Sequence, residues 1–190
     1  MFGRRHLLKT VGAWLSVAMW TPSRFASLLD RVFGSIQVKW TSPITPIEEF
    51  YVTSYRSPPT IHLREWTLSV TGLVTKPTRV TYDELLALPR VSRIVTLECV
   101  GNTVGGELIG TAEWVGVPLR LLLEEAEIDP LAIEMVVRGA DGYFERLPLN
   151  RVLGEDVLIA HQMNGVPLPL GHGFPARLIV PGHSGMKSVQ

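Results

Sequence analysis

The sequence holds one cysteine, Cys99, in 190 residues. No internal disulfide can form, so the fold must be held by packing alone. Net charge is also missing: eighteen Lys and Arg face eighteen Asp and Glu. That balance gives no support to nonspecific attraction toward nucleic acid or an anionic membrane, and any anionic ligand needs a local cluster of cations. Internal repeats and low-complexity tracts are absent, and neither Cys-x-x-Cys nor Gly-x-Ser-x-Gly occurs. What is present is a length suited to one ordinary domain, with seventeen Gly and fourteen Pro dispersed along the chain. These point to a loop-rich globular protein with a real core.

The N-terminus departs from this pattern. Gly3-Arg4-Arg5-His6-Leu7-Leu8-Lys9 precedes a mostly apolar stretch, residues 11–20, which is too short to cross a bilayer comfortably. Charge followed by hydrophobe is the order of an export signal, and the paired arginines resemble the twin-arginine signal of bacteria. The expectation is an export signal over residues 1–22, a twin-arginine translocase as transient partner, and a periplasmic location, either free or anchored by an uncleaved signal. Residues 23–49 read as a linker and 50–190 as the domain.

Within the domain, Trp66, Leu68 and Val70 alternate with polar residues as in a half-buried strand, ended by Gly72. Thr81-Tyr82-Asp83-Glu84 has the form of a capping box and predicts a short helix over 82–88, stopped by Pro89. Pro118 at a first helical position opens a helix over 119–126. Strands are expected over 94–97, 133–137, 143–147, 157–163 and 178–180, with a turn at Asn164-Gly165. Short helices among more numerous strands indicate an α+β fold with a mixed, largely antiparallel sheet.

Cys99 therefore stands at a strand end, facing the glycine-rich loop Gly101-Asn102-Thr103-Val104-Gly105-Gly106. A lone buried cysteine is ordinarily a small hydrophobe. Zinc would need three or four protein ligands, and spacing alone places no histidine beside Cys99. A cysteine hydrolase would need a partner, for which His161, His172 and His183 are available without any fixed geometry. A soft thiolate beside a flexible loop suits a soft, redox-active metal better.

Six segments then carry a resemblance. They are Leu97-Glu98-Cys99-Val100-Gly101-Asn102, Gly105-Gly106-Glu107-Leu108-Ile109-Gly110, Trp114-Val115-Gly116-Val117-Pro118-Leu119, Asp141-Gly142-Tyr143, Met163-Asn164-Gly165-Val166-Pro167-Leu168-Pro169, and the run from His172 to Gly182. Their order resembles that of the molybdopterin-binding domain of the sulfite oxidase family, over about residues 50–190. The resemblance implies the sulfite-oxidase-type fold and a molybdenum-molybdopterin cofactor with Cys99 as catalytic metal ligand. It also implies oxygen-atom transfer to or from a small-molecule substrate, and electrons exchanged with a haem protein or membrane haem subunit. It implies that His172, Arg177 and Lys187 hold the pterin's anionic tail, with Asn102 and Gly185 adding polar or backbone contacts.

Two departures qualify it. Animal and plant sulfite oxidases place Arg and His in the stretch aligned with residues 51–55, and a further Arg soon after the Gly-Asn; this chain has Thr53, Tyr55 and Thr103 there. A sulfite dianion would be poorly neutralised, so sulfite is not expected as the main substrate. Family members also continue through a Trp-Leu pair where this sequence stops at Gln190, which leaves a truncated noncatalytic remnant with an empty or partial cofactor site as the alternative.

Overall fold

The computed structural model describes residues 42–190. The export signal and the first part of the expected linker lie outside the described residues. The five-stranded sheet at the centre comprises β3 (Val91–Glu98), β4 (Ile109–Pro118), β7 (Leu158–Met163), β8 (Val166–Pro167) and β9 (Arg177–Ile179), and two ribbons flank it, β1 (Thr67–Val70) with β2 (Thr78–Thr81) and β5 (Glu134–Arg138) with β6 (Phe144–Pro148). Every strand pairing among the described residues is antiparallel. The architecture is the expected α+β fold.

Local sequence explains the elements. Helix α1 (Tyr82–Ala87) starts with the capping box: the Glu84 N–H donates to Thr81 Oγ1 at 3.3 Å and the Thr81 N–H to Glu84 Oε2 at 2.8 Å. Helix α2 (Leu119–Ala126) buries Leu119, Leu122, Leu123 and Ala126, the spacing of one helix face, and Pro118 stands as its N-cap rather than inside its first turn. The Asn164-Gly165 turn has φ of 49° and 80° and joins β7 to β8. Helix α3 (Leu149–Val152) and strands β2 and β4 were not anticipated. Strand β4 is the most consequential omission, because it pairs with both β3 and β7. Its buried face is Gly110, Ala112, Trp114 and Gly116, mostly small residues, so the alternation carries little hydrophobic contrast. Gly116 is required there, since a Cβ would collide with the Ile159 carbonyl.

The compact unit that holds these elements runs from Ser42 to Gln190. Strand β7 pairs with β4 only from Trp114 onward, which leaves the Thr111 backbone open on that side. Thr45 fills the gap. Its N–H donates to Thr111 O at 2.7 Å, its Oγ1 accepts the Thr111 N–H at 3.0 Å, and its carbonyl accepts Asn164 Nδ2 at 3.0 Å.

The sheet separates two apolar clusters. One gathers Leu85, Leu122, Leu123, Leu147, Ile159 and Val180 around α2; the other gathers Phe50, Leu97, Trp114, Met163, Leu168 and Ile179. Phe50 and Leu97 from the second cluster also line the main cavity.

Candidate functional site

A cavity of about 260 Å³ opens between the end of β3, the start of β9, the loop before β6 and the segment after Phe50. This is close to the lower end of small-molecule sites, roughly 300–1,000 Å³. Cys99, Arg177 and Gly185 all line it, so three residues far apart in the chain come together.

Cys99 is half-buried and fixed through its backbone: its N–H donates to Leu108 O at 2.9 Å and its carbonyl accepts the Asn102 N–H at 2.9 Å. The Asn102 side chain closes the same loop, with Nδ2 donating to Glu98 Oε1 at 2.9 Å and Oδ1 accepting the Leu108 N–H at 3.0 Å. Asn102 is not among the cavity-lining residues; its side chain ties the loop that presents the thiol.

Arg177 is the most unusual group present. Its Nη1 donates to the His172 carbonyl at 3.2 Å and its Nη2 to the Ser188 carbonyl at 2.8 Å, while its buried Nε has no partner. The guanidinium lies 5.5 Å from the centre of the Trp114 ring. Among the described residues no carboxylate pairs with it. Burial pushes its pKa down to about 10, with Tyr51 opposing, so it remains charged at neutral pH. A half-buried cation held by two carbonyl dipoles and an aromatic face is left to be neutralised by something else.

His172 is buried with its ring edge-on to Phe50 at 5.5 Å, and burial depresses its pKa, so the ring is neutral. The contact it gives the site is its backbone carbonyl on Arg177. Gly185 lets the Tyr51 hydroxyl approach closely, since a Cβ there would force the tyrosine to shift. Lys187 does not line the cavity; its ammonium pairs with Glu145. His161 and His183 also lie away from the lining, so among the described residues no histidine lines the cavity with Cys99 as a hydrolase would need.

Sequence reasoning did not single out Tyr51, Asp141 and Tyr143 as site residues, yet all three line the cavity. Burial raises the Tyr51 hydroxyl's pKa, Arg177 opposing and Cys99 and Glu98 adding to the rise. The Tyr143 hydroxyl is raised by burial and by its hydrogen bond to Glu145. The signal for Asp141 and Tyr143 was their place in a quoted motif, and for Tyr51 its proximity to the altered stretch at residues 53–55.

The donor set fits a cofactor that brings its own metal ligands. Among the described residues no three His, Cys, Asp or Glu side chains converge to cage an ion. The described residues offer one thiol for a metal and one half-buried cation with no carboxylate partner for an anionic tail, the pair of contacts a metal-bearing anionic cofactor needs. The family model of the oxidoreductase molybdopterin-binding domain matches residues 55–190. The chain belongs to that family.

Relatives of this molybdopterin-binding domain include inducible nitrate reductase [NADH] 2 of Glycine max, 34% identical over 179 residues, with 77% of this chain and 20% of the relative covered. Mitochondrial sulfite oxidase of Drosophila melanogaster is 32% identical, covering 77% of this chain and 29% of its own length, and sulfite oxidase of Arabidopsis thaliana is 30% identical, covering 79% and 46%. The sulfane dehydrogenase SoxCD from Paracoccus pantotrophus is similar in structure, with a TM-score of 0.74 and 30% identity over 80% of this chain and 43% of that one. The chain thus spans less than half the length of these relatives. Its family and fold make it a molybdopterin oxidoreductase domain, with molybdenum-molybdopterin as the cofactor.

Proposed function

We propose that this domain performs oxygen-atom transfer at a molybdenum ligated by Cys99, and that it exchanges electrons with a haem protein or membrane haem subunit. The observation that carries the reading is the convergence of the Cys99 thiol and the carboxylate-free Arg177 guanidinium on one cavity. When bound, the cofactor supplies a metal able to cycle by two electrons, and the protein's share is to hold and orient it. Cys99 serves as the thiolate anchor, kept in place by its two backbone bonds and the Asn102 tie. Arg177 takes the anionic tail through the Nη hydrogens not spent on the two carbonyls, with Trp114 and those carbonyls fixing its direction. Phe50, Leu97 and Val189 give the cavity apolar walls that strengthen these charge interactions.

The substrate of this reading is a small molecule other than sulfite. Thr53 and Tyr55 line the cavity where sulfite oxidases carry cations, and neither supplies charge for a dianion. The site of action is the periplasm, reached by twin-arginine export, as the Arg4-Arg5 signal suggests.

The test is metal and pterin analysis of the full chain matured in a host that makes the cofactor. Stoichiometric molybdenum, reduced at least tenfold in Cys99→Ser, is expected. A folded but metal-free protein makes it the noncatalytic remnant instead. Sulfite oxidation by the loaded protein with a KM in the roughly micromolar range common to enzymes would contradict the substrate assignment.

A further inference from the structure

Lys187 belongs to the short turn Gly185–Lys187, whose first two residues line the cavity. The family resemblance gives this lysine to the anionic tail, but here the ammonium is already engaged. It pairs with Glu145 of β6, 42 positions earlier in the chain. The other oxygen of the same carboxylate, Oε1, accepts the Tyr143 hydroxyl at 2.6 Å, and that hydroxyl also lies 3.4 Å from the Met186 carbonyl. One carboxylate therefore joins the β5–β6 ribbon to the turn, and both ends of the tie carry cavity wall: Tyr143 on one, Gly185 and Met186 on the other.

The pair is partly withdrawn from water, Glu145 more than Lys187, with side-chain exposures of 12% and 31%. Burial pushes the Glu145 carboxyl's pKa upward, but the bonds from Lys187 and Tyr143 outweigh it and hold the group below its usual range. An anionic ligand could recruit Lys187 only by taking from the ionised Glu145 its one cationic partner, leaving it the Tyr143 hydroxyl and the Arg146 backbone N–H, and a charge largely withdrawn from water is destabilised when its counter-charge is removed. Arg177 carries no such commitment.

We infer that Lys187 acts on the cofactor site as a positioning residue locked to Glu145, and that the cofactor's anionic tail is held by Arg177 and not by Lys187. This rests on the function proposed above. It departs from the role the resemblance implies for the lysine, and it makes Glu145 part of the site's construction.

The experiment is a second-site rescue in the full chain, matured in a cofactor-making host, with E145Q, K187M and E145Q/K187M compared to the wild type. The readouts are molybdenum and pterin per chain and the melting midpoint. K187M strands the Glu145 carboxylate and should lower occupancy by roughly fivefold or more, together with the midpoint. Adding E145Q removes the stranded charge, and the double variant should return to within about twofold of the wild type in occupancy. If Lys187 grips the tail directly, E145Q alone keeps or raises occupancy and the double variant stays as empty as K187M. A double variant that stays empty overturns the inference whether or not it folds, because a neutral pair of similar size should hold the turn. A wild type without molybdenum or pterin sinks the proposed function instead. The tie is then read from the four melting midpoints, where failure of E145Q to rescue K187M overturns it.

Discussion

Arg151 and Arg177 are both drawn into the fold, and they are treated in opposite ways. Arg151, in α3, donates from Nη1 and Nη2 to the two carboxylate oxygens of Asp156 at 2.8 and 3.0 Å, and from Nη2 to the Pro181 carbonyl at 2.5 Å. Its charge is matched inside the protein. Arg177 receives two carbonyls, an aromatic face and no carboxylate, and its Nε is left without a partner. Carbonyl dipoles can aim a guanidinium without cancelling its charge. The difference separates an arginine that closes a structure from one kept open for a ligand, and only the second borders the cavity that also holds the thiol.

The largest expected effect tests the open side of this contrast. Arg177→Met should reduce pterin and molybdenum per chain by more than tenfold while leaving the melting midpoint of the cofactor-free protein unchanged or higher, since no carboxylate is stranded. Arg177→Lys should fall between, because a point charge replaces a bidentate fork. Equal occupancy in all three proteins would break the comparison.

The closed side should respond in stability. Arg151→Met is expected to cost about 1–2 kcal/mol by denaturant titration with occupancy nearly unchanged, a modest figure because Asp156 is partly exposed. The hydrogen bond from Arg151 depresses the Asp156 pKa. That stabilisation is therefore complete above the unfolded carboxyl value of about 3.9 and is lost as pH falls through the lower folded value. Arg151→Met should flatten this acid limb in melting scans.

His161 offers a third case, buried among apolar side chains with neither ring nitrogen bonded. Burial lowers its pKa, Arg90 adding to the effect, so the folded state resists protonation and loses stability as pH drops below the unfolded value of about 6.5. His161→Leu should stabilise by about 1 kcal/mol at neutral pH and reduce the slope as pH falls below about 6.5. His172, shifted in the same direction, keeps part of that slope. The smallest effect is local: Asn102→Ala should speed amide exchange at Leu108 and alkylation of Cys99 without changing the global midpoint.

Much of this arrangement was legible in sequence. Alternation and capping located β1, α1 and the strand ending at Cys99, and ordered motifs brought Cys99, Arg177 and Gly185 to one site. Strand β4 escaped because glycine and alanine on its buried face mute the two-residue period. The place of Thr45 beside β4 escaped because it is set by backbone bonds to Thr111, which composition does not register. Lys187 and Asn102 were read as ligand contacts from their motif positions. Their engagement by Glu145 and Glu98 depends on side-chain geometry, which for the Lys187–Glu145 pair spans 42 residues of chain.

The most direct test is X-ray absorption at the molybdenum edge on the full chain matured with its cofactor, wild type beside Cys99→Ser. The account predicts that the metal in the wild type has one more sulfur neighbour than the cofactor itself supplies, and that this neighbour disappears in the variant. An identical sulfur shell in the two proteins would contradict it.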